Sequence, residues 1–407
     1  MKAIQFNAAI PRYALGMMLG KAMPSFLWSG LSCTYQAEIT EPALPNAEWV
    51  KVKTRYGGIC GTDIGTIHLH TSPYFSPYSS FPFTLGHENT GTIAEVGAEA
   101  GDWQVGERVV IEPHLWCRPR GFKDLCEYCA RGETKLCKHF REGTLAPGIL
   151  TGACRDTGGS WSSHFVAHSS QIYRVPEQVT DENALMVEPF AVGLHAALQF
   201  WPGDHKRVLI QGAGTIGLVT LAALRTLGSK ANITLLARYP FQKEAGERLG
   251  ASEVILTKGV DIFHSIAQKT GGQVLKPIIG KNVLEGGFDH TFECVGNDAS
   301  IDDVLRFTRS GGTVVLLGVP GIAKGIDWTP IFAKELSVYA SNTYNRAERY
   351  QGQTWEAFEL TLDLMARGVL DLGWMITHRY RLDHFDRAMN EIGKRGSTGI
   401  IKAVFEF

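Results

Sequence analysis

Early in the chain apolar and polar residues alternate at a period of two, as in Trp49-Val50-Lys51-Val52-Lys53 and Thr92-Ile93-Ala94-Glu95-Val96. Successive side chains of a strand face opposite ways, so this alternation predicts short strands with one buried face. Glycine-rich turns separate such runs up to about residue 180, and an antiparallel, barrel-like β domain is expected there. Near Thr180 the period changes. Thr180-Asp181 can cap a helix, and Ala184-Leu185-Met186-Val187 leads through Glu188-Pro189 into Val192-Gly193-Leu194-His195-Ala196-Ala197-Leu198, predicting a connecting helix. From Arg207 to about Ala340 strands and helices take turns. Strands are expected at Arg207–Gln211, Ile233–Ala237, Val254–Leu256, Phe288–Glu293 and Thr313–Leu317, and helices up to Leu227, at Phe241–Leu249 and at Ile301–Thr308. Alternation of that kind predicts a doubly wound parallel sheet, so the fold class is α/β. The tail, helical over Trp355–Arg367 and extended over Gly399–Phe407, is expected to return to the first domain.

Length supports this division, because 407 residues exceed what one hydrophobic core usually organises. The boundaries expected are 1–190, 191–341 and 342–407. With 44% hydrophobic residues, 20% charged and a net charge of -1, nothing points to disorder, a polyanionic partner or a membrane surface. No uninterrupted apolar run approaches the roughly 20 residues of a membrane span. The apolar run Tyr13–Trp28 is broken by Lys21 and Pro24 and makes no convincing export signal. The eight cysteines are therefore expected as reduced thiols or metal ligands in a cytoplasmic protein, with Cys33 and Cys154 unpaired and Cys294 in a strand-like run.

Two sets of residues offer metal chemistry. Cys60, in Gly58-Ile59-Cys60-Gly61-Thr62-Asp63, is followed 27 residues on by His87 and then Glu88, in Gly86-His87-Glu88. One thiolate, one imidazole and one carboxylate meet the needs of a catalytic zinc, which keeps a fourth position for water or substrate. Cys117, Cys126, Cys129 and Cys137 fall within 21 residues and include a C-x2-C pair, a set that closes a tetrahedral structural site in a lobe of about residues 112–140. Two zincs per chain are expected. A buried Glu188 in its apolar run would need a cation partner, a metal or an arginine. The lobe also carries Arg118, Arg120, Arg131, Lys135, Lys138 and Arg141. A nucleic-acid surface or a nucleotide-binding regulator without turnover is the competing reading, but such a run is more commonly a solvated loop, and no nucleic-acid partner is expected.

Gly212-Ala213-Gly214-Thr215-Ile216-Gly217 follows a predicted strand and opens a predicted helix. In that context the first glycine makes the turn, the second admits a pyrophosphate, and the third packs helix on strand, so a dinucleotide site is expected. Ala237, 20 residues past Gly217, occupies the place where an acid would bond the ribose hydroxyls of NAD, and Arg238 follows. A guanidinium can instead clamp a 2′-phosphate, with Lys243 as a second charge, and NADP is favoured over NAD. Val295 and Val319 are further candidates for cofactor contact.

Cys60-Gly61-Thr62-Asp63, Gly86-His87-Glu88, the four-cysteine lobe, Val187-Glu188-Pro189 and the glycine motif stand in an order that resembles the zinc-dependent medium-chain dehydrogenases. Glu188-Pro189, where other alcohol dehydrogenases carry a ligand cysteine, makes the polyol and threonine dehydrogenase branch the most similar. The resemblance implies a GroES-like catalytic domain, a Rossmann domain and a homodimer or homotetramer. It further implies Cys60 and His87 as constant zinc ligands, with Glu88 and Glu188 competing for the third place. It also assigns Thr62 the hydroxyl that passes a substrate proton outward. Hydride transfer between an alcohol, probed first as a secondary alcohol or polyol, and NAD(P) is the implied reaction. The chain departs from the family pattern in three places. Gly65 replaces a relay histidine, leaving His68 or His70 as substitutes, the Cys117 to Cys126 step is six residues longer than usual, and Arg12–Leu31 is an apolar insertion.

Overall fold

The alternation at Trp49–Lys53 is realised in a ten-residue strand, Trp49–Gly58, whose Val50, Val52 and Thr54 are buried while Lys53 and Arg55 face out. In the computed structural model, which describes all 407 residues, this strand is the hub of a seven-stranded sheet. Across that sheet lie Ile376–Arg381, Lys402–Glu406, Trp49–Gly58, Asn89–Val96, Arg108–Ile111 and Ile172–Arg174, and His164–His168 also pairs with Trp49–Gly58. Valines, Ile93, Val109 and Phe165 from these strands form one core. A three-stranded sheet of Thr34–Glu38, Lys2–Phe6 and Phe83–Thr84 packs beside it, around Trp161 and Phe405.

The chain divides into two units, Met1–Glu188 with Asn345–Phe407, and Pro189–Tyr344. The tail does return to the first unit, where Lys402–Glu406 pairs antiparallel with Trp49–Gly58. One pairing departs from the all-antiparallel expectation, since Ile376–Arg381 lies parallel to Lys402–Glu406. A helix, Phe385–Gly393, fills the connection between them, as a parallel pair requires.

The insertion forms a helix, Ile10–Leu19, and a 3-10 turn, Pro24–Trp28, between two neighbouring strands. Its role divides by residue: Leu27 and Trp28 join the core, whereas Met17, Met18 and Met23 stay exposed.

In the second unit six parallel strands run in the order Glu253–Leu256, Asn232–Ala237, Arg207–Gln211, Phe288–Glu293, Thr308–Leu316 and Ser337–Ala340. The order reverses on either side of Arg207–Gln211, which places a ligand crevice outside its carboxyl end. No helix is long and apolar enough to cross a membrane.

Candidate active site and metal centres

Cys60 is the N-cap of the helix Gly61–Ile67, and its backbone N–H donates to the Asp63 carboxylate at 3.0 Å. The same carboxylate reaches Nδ1 of His87 at 3.4 Å. One buried acid thus fixes two candidate ligands, the arrangement that orients a ligating imidazole and leaves its other nitrogen for a metal. Burial alone would lower the His87 pKa, but Asp63 and the Cys60 sulfur outweigh it and hold it well above the ordinary histidine value. The ligand atoms of Cys60, His87 and Glu88 lie within 4.8 Å of one another.

Glu88 is buried and its carboxylate is ion-paired with Lys402, itself buried in the terminal strand. Room for that carboxylate comes from Gly58, where a Cβ would stand 2.0 Å from Glu88 Oε2. Glu188, in the first turn of the helix Val187–Gln199, is buried but stands outside the three-residue set. Burial raises its pKa to about 7, His87 and Lys402 pull it down, and Glu88 and Asp63 push it further up. The cations acting on Glu188 are thus His87 and Lys402 rather than an arginine. Three buried carboxylates and a thiol face one lysine and one histidine, so the donor set fits a divalent cation. Thr62 is exposed on the first turn of Gly61–Ile67. His68 is half-buried between the rings of Trp28 and His70, at 6.0 and 5.8 Å, and its pKa is lowered by burial and then by His70.

The four lobe thiols converge as well, all within 4.8 Å. Cys117 and Cys137 sulfurs are 3.7 Å apart, far beyond a bond of about 2.05 Å, and all eight cysteines are free. The backbone N–H groups of Cys126 and His139 donate to the Cys117 and Cys137 sulfurs at 3.4 Å. For Cys126, burial raises the pKa, but N–H donors from Cys129 and Lys138 outweigh it and bring the thiol to about 6. Cys117 and Cys129 are not acidic by themselves, since burial raises the first, and the Cys137 hydrogen bond and burial raise the second, so it is the convergence of four sulfurs that suits zinc. Three of the lobe's six cations are engaged within the lobe. Arg120 is fully buried and donates to the carbonyls of Leu115, Glu142, Leu145, Ala146 and Gly148. Arg131 pairs with Glu133, and Lys138 with Glu127.

At the end of Arg207–Gln211, Gly212 turns at φ +99°, and a Cβ on Gly217 would meet Gly212 O at 1.8 Å. A Cβ on Gly214 would meet nothing within 4 Å, which leaves open space over the N-terminus of Thr215–Thr226 where Thr215 and Ile216 begin the helix. Val295 lies against Gly212, held by the Glu293 carboxylate, which accepts from the N–H groups of Val295 and Gly296. Gly296 in turn approaches Val319 closely. Ala237 is the last residue of its strand, and Arg238 is exposed with its guanidinium 5.7 Å from the Tyr239 ring. Lys243 is turned to Glu247 at 3.7 Å.

Asp63, Gly58 and Lys402 are the site residues that sequence reasoning gave no role. For Lys402 a signal existed: it is the lone charge in Gly399-Ile400-Ile401-Lys402-Ala403-Val404, a run otherwise fit for a core strand.

Residues 46–177 match the family model "Alcohol dehydrogenase GroES-like domain", and 215–362 match "Zinc-binding dehydrogenase". L-idonate 5-dehydrogenase of Vitis vinifera is 30% identical over 86% of both chains. L-threonine 3-dehydrogenase of a Marinomonas species is 28% identical over 86% of this chain and 91% of its own. A solved Escherichia coli oxidoreductase/dehydrogenase of unknown specificity superposes with a TM-score of 0.71 at 26% identity, covering 92% of this chain and 95% of that one.

Proposed function

Because the chain belongs to the zinc-binding alcohol dehydrogenase family, we propose that it interconverts a secondary alcohol or polyol and its carbonyl with NADP(H). The observation that carries this reading is the buried convergence of Cys60, His87 and Glu88 in a chain that also has the open Gly212–Gly217 turn. Cys60 and His87 are the constant ligands of the catalytic zinc, with Glu88 or Glu188 as the third, and Cys117, Cys126, Cys129 and Cys137 hold a structural zinc. Bound zinc supplies Lewis acidity that lowers the pKa of an alcohol. The nicotinamide supplies the hydride acceptor. Asp63 keeps His87 oriented, Thr62 passes the substrate proton toward water from its exposed turn, and Glu188 offers a buried proton-accepting group beside the ligands. A secondary alcohol is supported by the similarity to the threonine dehydrogenase and a polyhydroxy substrate by that to the idonate dehydrogenase.

Preference for NADP(H) is supported by the missing acid at Ala237 and the exposed guanidinium of Arg238 just past the strand end. A 2′-phosphate would find a charge there and no repelling carboxylate. A second copy of the chain is the partner we assign, through the outermost parallel strand Ser337–Ala340.

The deciding experiment combines zinc analysis with a turnover screen over polyols, amino alcohols and secondary alcohols, using both nucleotides. Two zincs per chain and an alcohol-dependent rise at the nicotinamide absorbance are expected. Metal-free protein with no turnover on any of these classes would defeat the reading.

A further inference from the structure

The inserted helix Ile10–Leu19 is built the opposite way from a helix that only adds core. A surface helix of a globular protein turns its large apolar side chains to the protein and its small or charged ones to water. Here the row spaced by four that faces the protein is Arg12, Gly16 and Gly20. A Cβ on Gly16 would stand 2.7 Å from Leu69 Cδ1 and 2.8 Å from Ser32 Oγ, and one on Gly20 would stand 2.6 Å from Leu27 Cδ2, so the glycines let the helix lie hard against the protein. Arg12 donates to the carbonyls of Gly30 and Ser32 and lies 4.8 Å from the Tyr35 ring, which takes the only charge of the helix off its outer face. Left outside are Ile10, Leu15, Met17, Met18 and Leu19, joined by Met23 and Leu31, each at least 43% exposed.

A set of apolar side chains turned outward in this way marks a docking surface. Its chemistry selects the occupant. Every one of these side chains is aliphatic or a thioether, with no hydrogen-bond donor. Protein interfaces carry about one hydrogen bond per 100–200 Å², which this face does not supply, and the contact between copies is assigned to Ser337–Ala340, in the other unit. Hydrocarbon demands no such bonds. From Asn7 to Ala37 the chain has no acidic residue, and Lys21, exposed just past the helix, pairs with no acid. That rim repels no anionic headgroup and offers it one cation. From this we infer that the insertion docks the protein on a lipid surface with anionic headgroups, the helix lying in the plane of the interface and Met17 and Met18 reaching the first acyl carbons. Ten residues are too few to span a bilayer, so the docking is peripheral and reversible. The net charge of -1 gives the molecule as a whole no attraction to such a surface, so binding rests on the apolar face and the adaptable methionines in it.

Flotation with vesicles of phosphatidylcholine and phosphatidylglycerol tests the docking. Wild-type protein should rise with the vesicles, and Met17→Ser together with Met18→Ser should lower the partition coefficient by at least about tenfold, with Tm little changed because both side chains are exposed. With a single lysine at the rim, molar salt should weaken binding by no more than about fivefold. Peroxide converts exposed methionines to sulfoxides, and mass spectrometry should show Met17, Met18 and Met23 oxidised several-fold more slowly on vesicles than in solution. That footprint needs no variant and decides alone if the double exchange does not fold. Wild-type protein that stays below the vesicles, partition unaffected by the double exchange, binding abolished by salt, or methionines oxidised equally fast on vesicles overturns the inference. An assembly of the wild type that the double exchange takes apart would make a second copy the occupant of this face and overturn it as well.

Discussion

The proposed function assigns separate parts of the chemistry to two single residues, Glu188 and Arg238. Glu188 has a carboxyl raised to about 7 by burial, beside His87, Glu88, Lys402 and Asp63. A buried carboxyl among these groups bears on the charge of the whole cluster. Glu188→Gln keeps size and removes the charge. Turnover should fall by about 10–100-fold, while NADP(H) affinity, measured by fluorescence titration, stays within about twofold because the group acts on the metal side of the reaction. An unchanged rate would take Glu188 out of the site. Arg238 is the complementary case, the side chain to which the proposed function assigns the choice between two cofactors. Exchanging Ala237→Asp together with Arg238→Ile removes a phosphate partner and installs a repelling acid. The ratio of kcat/KM for NADP(H) over NAD(H) should drop by at least about tenfold, equivalent to roughly 1.4 kcal/mol. Wild-type kcat/KM higher with NAD(H) would refute the assignment.

Elements explain what could be read along the chain and what could not. Strands such as Trp49–Gly58 announce themselves because one face is buried and the other solvated, and the strand, turn and helix around Gly212 are fixed by steric needs local to a few residues. The expected strand end at Ala237 agrees with the observed one. By contrast Ser337–Ala340 has four residues, mostly exposed, and no alternation to detect, so the sixth strand of the sheet passed unseen. Lys2–Phe6 was equally silent, since four consecutive buried residues carry no period. Lys402 pairs with Glu88 and Asp63 with His87, neighbours distant in sequence, and spacing along the chain does not disclose such partners. The cysteine lobe lies at the legible extreme. Its short helix Glu127–Ala130 and turn Thr134–Leu136 bury little apolar material of their own, so the thiol cage holds them together. Cys129→Ser should abolish the structural zinc and leave one metal per chain, with a clear fall in Tm on calorimetry. Two zincs retained in that variant, or a disulfide among the four thiols of the wild type, would contradict the cage.

For the whole molecule the open question of physical chemistry is the end of the six-stranded parallel sheet. Ser337–Ala340 pairs with Thr308–Leu316 on one side and is the outermost strand on the other. An edge strand presents unpaired backbone groups and is normally shortened, charged or covered. Here the strand is short but carries no charge, and Tyr339 is 49% exposed with its ring 5.2 Å from Phe200. Phe332, on the preceding helix Thr329–Lys334, is 88% exposed, and Trp328 just before it is 52% exposed. Aromatic side chains of this size on an uncharged edge favour burial against a matching surface, and a two-fold axis lets one edge meet its own copy. The protein should therefore sediment at twice its 44.7 kDa chain mass or a multiple of it at micromolar concentration. Phe332→Asp with Tyr339→Lys places charge in that contact and should shift the species to the monomer, while zinc content and the far-ultraviolet circular dichroism remain those of the wild type. A wild-type monomer, or a double variant that sediments unchanged, would show that this edge is not where the copies meet.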